Sequence, residues 1–184
     1  WSDADWRQRS AGAQVPVNEQ TTLYTSNQTV SLPTAADRVT IRMVGGGGDG
    51  RQNGTGSGAG NNGGQTSATL QDGGSFVQSF SASGGAAGAG TTRSGNEGFR
   101  SGDASAMTPR GDGGDGGTFD SGDSIGEGGD AGDLTKVESV DISGIATPEI
   151  AIAIGAGGGA HSGDANGTAG AVEITTWELA AAED

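Results

Sequence analysis

The sequence predicts an all-β protein: an antiparallel, β-sandwich-like framework with long glycine-rich loops, which can themselves form polyglycine II helices. Three observations predict it. Short segments of alternating apolar and polar residues recur along the chain, while no stretch of useful length carries the periodicity of an amphipathic helix. Glycine supplies 39 of the 184 residues and hydrophobic residues only 31%, too little for one large aliphatic core. Twice, about a hundred residues apart, a strand pattern runs straight into glycines: "RMVGGGGDG" at 42–50 and "IAIGAGGGAHSG" at 152–163.

Taken in order, residues 1–20 differ from the rest. Trp1 and Trp6 sit among charges, Ser2 and Asp5 suit one capped turn, and "AGAQVPVNEQ" reads as extended. This stretch is predicted to be an attachment arm preceding a glycine-rich β domain at 21–184. "TVSLP" puts Val30 and Leu32 on one face before Pro33 stops the run. "RVTIRMV" alternates Val39, Ile41 and Met43 against Thr40 and Arg42. "SFVQSF" places Phe76 and Phe80 on one face. "VESVDISGI" sets Val140 and Ile142 against Asp141 and Ser143. "PEIAIAI" gives Ile150, Ile152 and Ile154 one face and Ala151 and Ala153 the other, small enough for close packing. In "GAVEITTW" Val172 and Ile174 share a parity that Trp177 leaves unless a bulge intervenes.

Between the strands lie two glycine blocks, 45–74 and 84–133, longer than ordinary connections in a compact domain. Gly111, Gly114 and Gly117 recur every third residue, as do Gly126, Gly129 and Gly132. Three residues is the period of the extended left-handed helix, which makes no internal hydrogen bonds and leaves its N–H and C=O groups free to bond sideways. Glycine on the inward edge lets such helices approach until their backbones bond to one another. The lateral bonds then offset the entropy that glycine loses on ordering. With four prolines in all, this is not a collagen pattern.

Composition excludes several functions. There is no cysteine, so neither a disulfide framework nor a cysteine-held metal is available. The formal net charge is −14, Lys136 is the single lysine and the arginines are scattered, which argues against nucleic acid as a partner. No apolar run approaches a membrane span, and no basic region precedes an apolar stretch as in a signal peptide. His161 is the only histidine and has no cysteine or histidine partner. The glycine runs lack the Gly-Lys-Ser/Thr ending of a phosphate loop. No pair of carboxylates is set against an apolar wall, and no enzyme activity is expected.

"QTVSLPTAADRVTIRMVGGGGDG", "VDISGIATPEIAIAIGAGGGA" and "GTAGAVEITTW", in that order and spacing, resemble the opening, late and closing segments of glycine-rich domains of phage tail-fibre and tail-tip proteins. The resemblance covers about residues 28–50 and 137–178; Pro148-Glu149 stands where the family has proline-glycine. It implies a virion protein at the host-contacting end of a tail, with polyglycine helices forming a rigid tip and loops touching the receptor. The implied partners are other virion proteins and a host-surface glycan or outer-membrane protein, with a homo-trimer favoured. The alternatives are a capsid decoration or spike protein of purely structural role, and a secreted polyglycine adhesin or ice-binding protein.

On that reading Phe99, Arg100, Arg110 and Phe119 are the receptor-contact candidates, the aromatic residues being able to stack on sugar faces. Trp1 and Trp6 are the attachment candidates. Arg110-Gly111-Asp112 spells an integrin tripeptide that a chain rich in glycine and aspartate produces by chance. "GEGGDAGDLT" approaches a calcium nonapeptide through Gly128, Gly129 and Asp133, but Ala131 breaks it and no second copy follows. No cofactor is expected. Looser Ca²⁺ binding draws on Asp112, Asp115, Asp120, Asp123, Asp130 and Asp133, hard oxygen ligands on adaptable backbone; the competing reading is a solvated acidic loop.

Overall fold

The computed structural model describes residues 16–49, 61–88, 90–92, 107, 109–112, 124–126, 129–159 and 166–179. The described strands are β1 (Pro16–Tyr24), β2 (Gln28–Ser31), β3 (Arg38–Val44), β4 (Thr66–Asp72), β5 (Ser75–Ala82), β6 (Gly90–Thr92), β7 (Ser124–Gly126), β8 (Leu134–Asp141), β9 (Pro148–Ala153) and β10 (Ala171–Leu179). Eight of them form two four-stranded antiparallel sheets, β1-β10-β3-β8 and β2-β9-β4-β5, and β6 pairs with β7. The all-β, sandwich-like architecture is as the sequence predicts.

The alternation in "RVTIRMV" fixes the first sheet's inner face. Val39, Ile41 and Met43 are fully buried, and Val172 and Ile174 of β10 lie beside them. Ile150 and Ile152 of β9, with Ala68 and Leu70 of β4, face them from the second sheet, and Leu32, Ala82 and Ile142 complete one continuous core. Trp177 does not slip. β10 keeps its register with β3 from Ala171 to Trp177, the buried Thr176 takes the inner position, and Trp177 stands on the outer face.

Three elements differ from the sequence reading. The block 45–74 is not a loop throughout, because "TSATLQD" forms β4 and joins β5 through the turn at Gly73-Gly74. Both glycines have positive φ, +53° and +85°, where side chains are strained. The arm does not extend to residue 20, because β1 runs from Pro16 through that position and pairs with β10. Phe76 and Phe80 do not share a face. The register of β4 and β5 shifts between Leu70 and Gln71, so the extra residue Val77 turns Phe76 outward, 70% exposed, while Phe80 packs on the core.

The sandwich has two distinct poles. Pro16 pairs with Leu179 at one of them, so the described beginning and end of the chain lie together there. At the other pole β3, β5 and β9 run out into glycine segments, and β4, β8 and β10 are entered from glycine segments.

Candidate functional site

Seven segments continue beyond the sandwich at that second pole: 45–49, 61–65, 83–88, 110–112, 129–133, 155–159 and 166–170. None has regular strand pairing, yet their backbones are bonded to one another throughout. The central one is Gly45–Asp49, every residue of which is buried. The N–H groups of Gly45 and Gly48 donate to Asp133 O and Asp130 O, at 3.2 and 2.9 Å. Those of Gly46 and Asp49 donate to Gly64 O and Asn61 O, at 2.9 and 3.0 Å, and that of Gly47 to Thr168 O at 2.9 Å. The carbonyls of Gly46 and Asp49 accept from Gly85 and Gly88, and that of Gly47 from Gly158, each at 2.8 Å. The bonded neighbour therefore repeats every third residue, as a three-fold extended helix requires.

The six outer segments close a ring. Gly63 N–H donates to Gly85 O (2.8 Å), joining 61–65 to 83–88, and Asp130 N–H donates to Ala86 O (2.9 Å), joining that segment to 129–133. Gly132 N–H to Gly111 O (2.8 Å) and Gly111 N–H to Ala169 O (2.9 Å) place 110–112 between 129–133 and 166–170. Gly170 N–H to Gly155 O (2.9 Å) and Gly64 N–H to Ala156 O (2.7 Å) complete the circuit through 155–159. Around the ring, segments that take an N–H from the centre alternate with segments that give one or, for 110–112, lie against Gly45 O. This is a polyglycine II lattice of six helices around one, an interior made of peptide groups where side chains are missing.

Side chains seal its ends. Thr66, fully buried at the head of β4, accepts the Gly155 N–H on Oγ1 at 3.0 Å. Asn62 Oδ1 accepts from Ala87 N–H (2.9 Å), Asn61 Nδ2 donates to Gly159 O (3.2 Å), and Thr168 Oγ1 accepts from Asp112 N–H (2.7 Å). The sequence reading passed over these residues; the signal was polar side chains flanking the glycine pair in "NNGGQT". Thr66→Val keeps the shape and orphans a buried N–H, so urea denaturation is expected to show a loss of about 1–3 kcal/mol. Thr66→Ser, which keeps the acceptor, is expected to lose less.

The predicted site residues fall unevenly on this scaffold. Gly129 and Gly132 face inward and are buried, while Asp130 and Asp133, one step on, are exposed. Three residues apart on an extended helix, those two carboxylates stand about 9 Å from one another. Among the described residues no three metal-ligating side chains come together. Gly111 lies inside the ring with φ +72°, so Arg110-Gly111-Asp112 is part of the lattice rather than a loop tip. Arg110 is half-buried, and its N–H donates to Met107 O at 3.0 Å. Trp1, Trp6, Phe99, Arg100, Phe119, Asp115, Asp120, Asp123 and His161 lie outside the described residues, as do Gly114 and Gly117.

Segments 50–60 and 160–165 leave and re-enter the structure at the bundle's far end, after Asp49 and Gly159 and before Asn61 and Asn166. Gly88 and Gly129 also lie at that far end, beside Asp49, whereas 110–112 runs outward from the sandwich side, with Gly111 beside Gly45 and Asp112 bonded to Thr168. The residues flanking 50–60 and 160–165, together with Gly88 and Gly129, thus lie at one pole, opposite the pole where the described chain ends meet. No helix among the described residues is long and apolar enough to cross a membrane. Comparison with protein-family models, with curated proteins and with solved structures finds no match for this chain.

Proposed function

We propose that this chain is a virion structural protein, a tail-fibre or tail-tip adhesin that contacts a host-surface receptor through the segments rooted at the bundle's far end. One observation supports the reading above others: the opposition of the two poles. A protein that must reach a surface while mounted on a particle needs its attachment and its contact residues at opposite ends, with something stiff between. Backbone-bonded helices supply stiffness without constraining side chains, so the segments they carry are nearly free to vary. Phe99, Arg100 and Phe119 are the contact residues in this reading; Arg110 is set apart from them, next to Gly111 at the sandwich end of the ring. The arm at 1–15, with Trp1 and Trp6, enters the fold at the opposite pole and is the mount. A homo-trimer belongs to the proposal on the strength of the tail-fibre resemblance.

The test replaces 50–60, 93–106, 113–123 and 160–165 by glycine-serine segments of equal length, leaving every ring residue in place. Particles are expected to assemble with normal yield and to adsorb to host cells at least a hundred-fold less well. Unchanged adsorption would remove the adhesin reading and leave the capsid-decoration role. Trp1→Ala together with Trp6→Ala is expected to lower incorporation into particles, read by quantitative blotting of purified virions.

A further inference from the structure

Away from the bundle, the outer face of the sheet β1-β10-β3-β8 forms an open trough of about 700 Å³, within the size range of ligand sites. Its shape has a local cause. Both edge strands carry a bulge beside it: Asn18 and Glu19 of β1 oppose the single residue Trp177, and Glu138 and Ser139 of β8 oppose Thr40. Such bulges bend a strand and increase its twist, and here they fall on both strands that flank the two central ones. Asn18 and Ser139 both adopt φ 54° and are the two non-glycine residues with positive φ among the described residues. Each is held in place, Asn18 Nδ2 donating to Glu178 Oε2 at 2.9 Å and Ser139 N–H to Thr40 Oγ1 at 3.2 Å.

The contents are ordered along the strands. Trp177 lies toward one end. Beside it runs a row of hydroxyls in register across three strands, Thr21, Thr175 and Thr40, with the first two hydrogen-bonded Oγ1 to Oγ1 at 2.9 Å. Beyond them Arg42 and Glu173 form an ion pair at 3.7 Å. From Trp177 to Glu173 is four strand residues, about 13 Å. Glu19 and Lys136 complete the lining, and Lys136 is paired with Glu138, whose carboxyl its hydrogen bond and charge hold below the usual range. Two carboxylates and two cations make the lining neutral on a chain of net charge −14.

We propose that this trough binds a neutral oligosaccharide. An indole offers a flat apolar platform with a polar edge, which suits the C–H face of a pyranose ring. The hydroxyls and compensated charges beside it supply donors and acceptors for sugar hydroxyls. An anionic ligand finds no excess of cations here, since Arg42 and Lys136 are already paired with Glu173 and Glu138. A polypeptide strand needs unpaired backbone at a sheet edge, whereas β10 and β3 in the trough floor are bonded on both sides. The site is on the flank of the sandwich and does not depend on what the far-end segments contact.

The full-length protein is applied to a printed array of neutral and acidic oligosaccharides, together with short peptides. Wild type is expected to bind neutral pyranose oligosaccharides. Trp177→Ala and Thr175→Arg, which removes the platform and fills the trough respectively, are each expected to weaken that signal at least ten-fold with an unchanged thermal melt. Should Trp177→Ala fail to fold, Thr175→Arg decides alone. The equal-length replacement of 50–60, 93–106, 113–123 and 160–165 is expected to bind as wild type does. The proposal is overturned by absence of binding to neutral sugars, by binding confined to acidic sugars or peptides, or by binding that a folded Thr175→Arg retains. Sugar binding lost in the far-end replacement but kept in Thr175→Arg would place the site on the far-end segments, overturning the trough while supporting the adhesin reading.

Discussion

Gly48→Ala is expected to cost about 4 kcal/mol or more and to lower the melting temperature by about 10 °C, although it adds a single methyl group. A Cβ at Gly48 would lie within 3.0 Å of the Ala86 carbonyl and the Ala87 nitrogen. Those are main-chain atoms, so no side-chain rotation relieves the clash. Segments 45–49 and 83–88 would have to separate, and the bonds from Gly85 N–H to Gly46 O and from Gly88 N–H to Asp49 O join the two segments across that movement. Overpacking by itself costs about 1–3 kcal/mol, and each buried peptide group left unbonded adds about 1–3 kcal/mol. Gly45 and Gly46 meet the Ser83 and Ala156 carbonyls in the same way and are expected to behave alike. Gly159 is the control, since among the described residues a Cβ there meets nothing within 4 Å. Gly159→Ala is expected to be neutral or to stabilise by a few tenths of a kcal/mol, about what the loss of unfolded-state freedom supplies. Chemical denaturation of the three central variants and the control checks the contrast.

Ile41→Ala is expected to destabilise by about 2–5 kcal/mol, the range for emptying a fully packed aliphatic site. Ile41 is fully buried in the middle of β3, pairing with Ile174 on one side and Val137 on the other. β3 is also the strand that continues into the central segment Gly45–Asp49. Loosening it should therefore lower stability in sandwich and lattice together, and a single transition in denaturant, shifted without a change of slope, is the expected readout. In the sandwich, removing carbon is what costs; in the lattice, adding it does. β3 joins the sandwich core to the centre of the lattice.

Much of this was legible because the sandwich strands obey a simple period. "RVTIRMV" and "PEIAIAI" place their inner residues by alternation alone, and the structure buries Val39, Ile41, Met43, Ile150 and Ile152. β4 was hidden because Ser67, Ala68 and Thr69 carry little hydrophobic contrast, and its turn at Gly73-Gly74 looked like more of the glycine block. β1 was hidden by its bulge, which breaks the period at Asn18-Glu19. The same device, at Val77, misplaced Phe76.

The lattice was legible in principle but not in detail. The three-residue recurrence pointed to lateral bonding, and Gly111, Gly129 and Gly132 do sit in the ring, whereas Gly126 belongs to β7. Which segment bonds which was not readable, because glycine segments are interchangeable in sequence and their order is imposed by the strands they continue. The trough was signalled by one residue, Trp177, whose parity looked like a slip and is in fact the outer face of an unbroken strand.

The central claim is that peptide groups bonded sideways form a second interior, and amide hydrogen exchange at residue resolution tests it most directly. The N–H groups of Gly45, Gly46, Gly47, Gly48 and Asp49 are all internally bonded and buried, so they are expected to exchange only through global unfolding, as slowly as the amides of Ile41 and Met43. Exchange of those five amides at the rate of an unprotected chain, while β3 stays protected, would contradict the account.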